Sequence, residues 1–332
     1  MWTVDAPAAA LAWLGRQGTR AIAAMVFIGI AVPPLDALLK PHVTAAIFVL
    51  LCIAFVRVDP AALRRYVGRP AIVLAATAWT MLVVPTLFGA SCLLLGLDAH
   101  SPDLFLALML QAVASPMMAA PAFAALMGLD ATLVLVTLVA SSTLTSFTAP
   151  LFAYVFIGPA LTLSPLALGV RLFAILAGSA LVALVIRRLV GAAAIERYGD
   201  QIAGVNMLVV FVFVAAVTEN VAARFVAAPL AMLGLAALAF VVFFAVLGLT
   251  TLVFARAGRE RAFVLGLMAS QRNMGLMVGA TAGALPDVAW LYFAMCQFPI
   301  YLTPQLLKPL AQRLVARSRH TPRPAGATAS LP

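Results

Sequence analysis

Acidic residues, histidines and cysteines are scarce in this chain, and each scarcity removes a class of chemistry. Only 11 Asp and Glu, three His and three Cys occur among 332 residues. Asp36, Asp98, Asp103, Asp130 and Asp287 fall near the ends of apolar segments, where capping and solvation account for them. His42, His100 and His320 are peripheral as well, so no histidine proton relay is legible. There is no HExxH pattern, no nucleophile–His–acid set within the apolar segments and no GxxxxGK loop, which argues against an enzyme and against an ATP-driven pump. No cofactor and no metal site is expected. Cys52, Cys92 and Cys296 stand in apolar segments without metal-ligand spacing and read as packing residues. Residues 1–15 hold no Lys or Arg, so the basic start of a cleavable signal peptide is not evident.

What the chain has instead is apolar length. It is 65% hydrophobic and 10% charged, with a mean hydropathy of +1.12. A soluble domain of this size could not solvate such a surface. Apolar stretches of about 20 residues recur to the end, the length that crosses a bilayer as helix. A barrel would show ~10-residue alternating segments instead. The sequence therefore predicts an all-α membrane protein with ten transmembrane helices, at roughly 20–39, 42–58, 70–97, 103–127, 131–158, 165–188, 201–222, 228–254, 259–285 and 287–312. Residues 1–19 form an N-terminal segment in which 7–16 read either as a short interfacial helix or as disordered chain. Residues 313–332 read as a polar, Pro- and Ala-rich disordered tail.

The net charge of +10 would suggest nucleic acid in a soluble protein, but the positions of the charges explain it better. With ten spans, seventeen of the 21 Lys and Arg residues fall on one side of the membrane. Lys40, Arg171 and Arg224 fall on the other, and Arg272 in the middle. This bias predicts cytoplasmic termini in a cell inner (plasma) membrane, with the lipid bilayer and not nucleic acid as partner.

The halves of the chain also correspond. Residues 20–158 and 165–312 would be two five-helix repeats of opposite orientation. The fourth segment is interrupted by Ala114-Ser115-Pro116-Met117-Met118-Ala119-Ala120-Pro121, and its counterpart, the ninth, by Ser270-Gln271-Arg272-Asn273-Met274-Gly275. Pro116 and Pro121 each remove a backbone donor and clash with the preceding turn, which predicts a broken fourth helix. Paired interruptions of this kind point to a transporter binding site.

Arg272 is the most informative residue, because an arginine at mid-membrane costs ~2.5–3.5 kcal/mol on the insertion scale. It reads three ways: an ion-pair member, with Glu219 nearest in character; a direct contact for an anionic substrate; or a donor to carbonyls exposed at half-helix ends. Gln271 and Asn273 suit either a ligand or an unwound backbone. The hydroxyl run Ser141–Thr148 reads mainly as helix packing. The methionines around both breaks, Met117 and Met118 among them, are core filler that also suits an amphipathic ligand. The candidate substrate-binding set is Arg272, Asn273, Gln271, Ser270, Ser115, Met117, Met118, Pro121, Thr80 and Pro299, with half-helix N-termini near Met117 and Asn273 presenting amides to the anion.

Arg272-Asn273-Met274-Gly275-Leu276, Gly128-Leu129-Asp130-Ala131 through Ser142-Thr143-Leu144 to Ala149-Pro150-Leu151, Arg69-Pro70 and Val84-Pro85 together resemble the bile acid:sodium symporter family, within the superfamily that includes arsenite efflux permeases and riboflavin transporters. The resemblance extends over all ten spans. It implies a panel of spans 1, 2, 6 and 7 and a core of spans 3–5 and 8–10. Helices 4 and 9 would cross in the core, with an organic anion bound between the bundles. Family substrates are mostly bile acids, sulfated steroids, pantoate and keto acids.

The family's sodium ligands are not matched. Where sodium-coupled members carry a glutamate four residues before a glutamine–asparagine pair, this chain has Met268, Arg272 and Asn273. Their third-span glutamine falls at Thr80, and their fourth-span Ser-Asn pair at or near Ala120-Pro121. The expectation is a sodium-independent secondary transporter of a small organic anion, with Arg272 supplying the charge that sodium would bring. An efflux permease for an oxyanion or a toxic organic compound is the alternative within the class. A non-transporting membrane sensor or partner subunit is the alternative outside it.

Overall fold

The computed structural model describes residues 5–17, 24, 28, 38–58, 70–158, 163–218, 221–281 and 285–320. Glu219 and almost all of the first expected span lie outside these residues. The described chain is helical, and five helices are long and apolar enough to cross a membrane: α3 (Pro70–Leu94), α6 (Ala131–Ile157), α7 (Pro165–Val190), α8 (Gly199–Val217, with a further helix at Val221–Ala227) and α9 (Pro229–Val253). Large apolar side chains on their outer faces are exposed, such as Leu181 and Leu189 on α7 and Leu230, Val241 and Leu252 on α9. Apolar surface on this scale needs lipid rather than water, and the protein is a multi-pass membrane protein.

Besides short helical turns at Leu97–His100 and Ala192–Arg197, the other helices among the described residues are α1 (Asp5–Gln17), α2 (Val43–Val56), α4 (Pro102–Val113), α5 (Ala120–Leu126), α10 (Arg259–Ser270), α11 (Met274–Ala280) and α12 (Asp287–His320). Each of the two expected interruptions is real: α4 and α5 are separated by 114–119, and α10 and α11 by 271–273. Pro121 sits in the first turn of α5, where its missing N–H costs nothing. Pro150, Pro299, Pro304 and Pro309, in contrast, lie inside continuous helices.

The helices can be described as two groups, which also meet closely along α6 and α7. In one, α2 lies against α7 and α8, and α1 along α8. In the other, α9 packs on α10 and α12, α4 on α12, and α6 on α3 and α5. A large apolar core joins them, with Ile47, Leu51, Leu172 and Phe213 meeting Leu110, Met274, Met277 and Phe293.

Three expectations need adjustment. The N-terminal helix forms, but one face is committed to α8: a Cβ on Gly204 would stand 2.0 Å from the carbonyl oxygen of Leu11, and one on Gly15 2.2 Å from that of Asp200. Glycine at both positions lets the two backbones touch, and the pairings make the helices antiparallel. The last helix does not stop at 312; it runs to His320 because Leu314 and Val315 still pack against the cluster containing Phe263 and Leu267. Residues 321–332 of the expected tail lie outside the described chain. Finally, α3 is not uniform, since Trp79–Val83 forms a wider π turn just before Pro85.

Candidate functional site

The two breaks cross and pair with each other. The Met117 amide donates to the Gln271 carbonyl at 2.7 Å, and the Asn273 amide to the Ser115 carbonyl at 2.8 Å. Pro116 and Arg272 thus face one another in a one-pair antiparallel bridge. Non-helical backbone at this depth needs partners, because lipid offers none. Here each break supplies the other's.

Arg272 is 3% exposed, and its Nη1 donates to the Ala114 carbonyl at 2.9 Å and the Thr80 carbonyl at 3.1 Å. Both acceptors are freed by local structure. Ala114 is the extended residue that ends α4. At the π turn the Val84 amide reaches back to the Trp79 carbonyl, so the Thr80 carbonyl loses the helical donor it would otherwise have. Arg272 therefore ties the end of α4 to the middle of α3. Its Nη2 is buried without a hydrogen-bond partner. The carbonyl-donor reading fits this geometry, and Arg272 also contributes to the lining of the neighbouring cavity.

Beside the crossing lies a cavity of about 370 Å³ between the helix groups. The crossing contributes Met117, Met118, Pro121, Arg272 and Asn273. The opposite wall comes from Ile47, Leu50 and Leu51 of α2 and from Asn206, Val210 and Phe213 of α8, with Gln297, Ile300 and Tyr301 from α12. Exposed Arg57 lies at one end. The lining has two arginines and three side-chain amides but no carboxylate, a composition that favours an anion with an apolar body.

The remaining candidates stand behind this surface. Ser270 bonds back to the Leu267 carbonyl of its own helix at 2.9 Å. Gln271 is buried, with Nε2 3.4 Å from the Ile300 carbonyl and Oε1 unpartnered. The Ser115 and Thr80 hydroxyls are buried without partners. Pro299 is buried in α12 and its carbonyl accepts the Thr303 hydroxyl. None of these five lines the cavity.

The expected amide cradle is corrected by the structure. The Met117 and Asn273 amides are consumed by the bridge. The half-helices begin later, at Ala120 and Met274, and the Asn273 side chain already caps the Leu276 amide at 3.0 Å. Arg57, Asn206, Gln297 and Tyr301 are cavity residues outside the candidate set. Asn206 and Gln297, as lone amides in apolar spans, were the available signal; Tyr301 and the apolar wall carried none. Compared with known proteins, the chain matches no family model and no curated sequence.

Proposed function

We propose that the chain is a secondary transporter that carries a small organic anion by alternating access, similar in design to bile acid:sodium symporters but sodium-independent. The observation that carries this reading is Arg272, which fastens the crossing of two broken helices at the edge of a carboxylate-free cavity. A buried guanidinium balanced only by carbonyl dipoles leaves net positive charge. An anion in the cavity feels that charge as a field. Sodium is then not needed to make the site attractive to an anion.

The full architecture in this reading is ten spans in two inverted repeats. The broken pairs α4–α5 and α10–α11 each count as one span, α2 and α12 are spans, and the first falls within 20–39. The cavity's Arg57 end faces the cytoplasm. At the far end the groups touch through Arg224 Nη2 and Asp287 Oδ2 at 2.9 Å, and through Arg171 Nη1 and the Ala280 carbonyl at 3.4 Å. One end open and the other fastened is what an alternating-access carrier has at rest.

The test is uptake of carboxylate and sulfate anions into proteoliposomes, with sodium or potassium as the only cation. Equal flux in both is expected. A steep sodium dependence would overturn the replacement of sodium by Arg272. No flux, together with no thermal stabilisation by any anion, would favour the sensor or subunit reading.

A further inference from the structure

A second cavity of about 400 Å³ lies apart from the crossing, between α6, α7 and the C-terminal end of α2. Its origin is a pinch. Gly169 brings α7 so close to α6 that a Cβ there would stand 2.8 Å from the Pro150 ring and 3.0 Å from the Ser146 carbonyl. Beyond this contact the helices splay, and a slot opens from Phe173 to Arg187. Fourteen residues of helix make it about 21 Å long, a little more than one leaflet of a ~30 Å hydrocarbon layer.

The slot is open sideways, for Phe147 and Phe173 on its rim are 66% and 59% exposed on the surface that meets acyl chains. Its wall is apolar except for hydroxyls and one cation. Ser142, 3% exposed, presents a buried Oγ with no partner. Arg187 closes the charged end, its Nη1 donating to the Val56 carbonyl at 2.6 Å. A guanidinium has five donors, so one bond leaves capacity for a phosphate. No carboxylate lines the slot, and Arg188 adjoins.

We propose that this slot holds an anionic phospholipid from the leaflet on the Arg187 side. The phosphate sits on Arg187, and one acyl chain lies along α7 past Ala180 towards Phe173. Charge at one end and an apolar lateral opening fit a lipid better than a water-borne solute. The site also joins the two helix groups, and Val58 borders both this slot and the crossing cavity. Lipid occupancy would thus set the spacing at which the groups meet. The assignment of leaflet rests on the orientation proposed above; lipid binding itself does not depend on transport.

The experiment is native mass spectrometry of the full chain released from nanodiscs of equal phosphatidylglycerol and phosphatidylcholine. The wild type should retain phosphatidylglycerol about tenfold over phosphatidylcholine, as a charge-assisted contact warrants. Ala180→Phe, which fills the slot and leaves Arg187 in place, should lose the bound lipid. Arg187→Gln should lose the headgroup preference, and Arg187→Lys should keep most of it. Equal retention of both lipids by the wild type, or undiminished retention by Ala180→Phe, would overturn the proposal. Displacement of the lipid by a transported anion would make the slot a substrate vestibule and overturn it too.

Discussion

The guanidinium of Arg272 caps the last carbonyl of another broken helix, Ala114, across a sequence distance of 158 residues. The residue that interrupts one helix thereby completes the end of its counterpart. Removing it should be costly in two ways.

Arg272→Gln strands the Thr80 and Ala114 carbonyls in the protein interior. Two hydrogen bonds from a charged donor, partly offset by relief of the buried charge, put the loss at about 2–4 kcal/mol. The melting temperature in detergent should fall, and anion uptake should drop by more than tenfold. Sodium should not rescue it, because Met268 offers no carboxylate. Unchanged melting would show that the two carbonyls find other donors.

Asn273→Ala removes the cap on the Leu276 amide and should cost about 1 kcal/mol. Asn273→Asp keeps an acceptor at the same place and should recover most of the loss. A thermal melt of the three proteins decides this, and equal destabilisation by both variants would assign Asn273 a different role.

Gly204→Val drives a side chain into the Leu11 carbonyl. The helix α1 should lift from α8, raising amide exchange over residues 5–17 while α9 and α10 stay protected. Stability should fall by about 1–3 kcal/mol, as in overpacked cores. Unaltered exchange over 5–17 would rule out the close backbone contact.

The pair Arg224–Asp287 is exposed on both sides, 51% and 83%, so Arg224→Ala should alter stability by less than ~1 kcal/mol. A reducible bifunctional thiol cross-link between Cys substitutions at 224 and 287 should nevertheless arrest uptake, and reduction of the linker should restore it. The three native cysteines are buried and should not interfere. Full transport in the cross-linked protein would exclude separation of the helix groups at this end.

Much of this site was legible because it breaks rules of membrane helices. Pro116, Pro121 and Arg272 are residues an apolar span should not contain, and they mark both interruptions. What escaped notice obeyed the rules. Ile47, Leu51, Val210 and Phe213 line the cavity yet resemble any core residue. Thr80 was singled out for its side chain but acts through its carbonyl, which is freed by a π turn that no residue pattern announces. Ser270 looked available to a ligand, but a hydroxyl inside a helix readily satisfies itself on the preceding turn. The length of the last helix was misjudged for a similar reason: Leu314 and Val315 are few, but packing and not average polarity decides where a helix ends.

The contact between Leu11 and Gly204 also sets a schedule for biosynthesis. The two residues are 193 positions apart in the chain, and a ribosome adding ~5–20 residues per second needs roughly 10–40 s to cover that distance. For that time α1 exists without the surface it packs against, one face bare to lipid, chaperone or solvent. Nascent chains halted before Gly204 should therefore leave residues 5–17 open to protease, and chains halted well beyond Val217 should protect them.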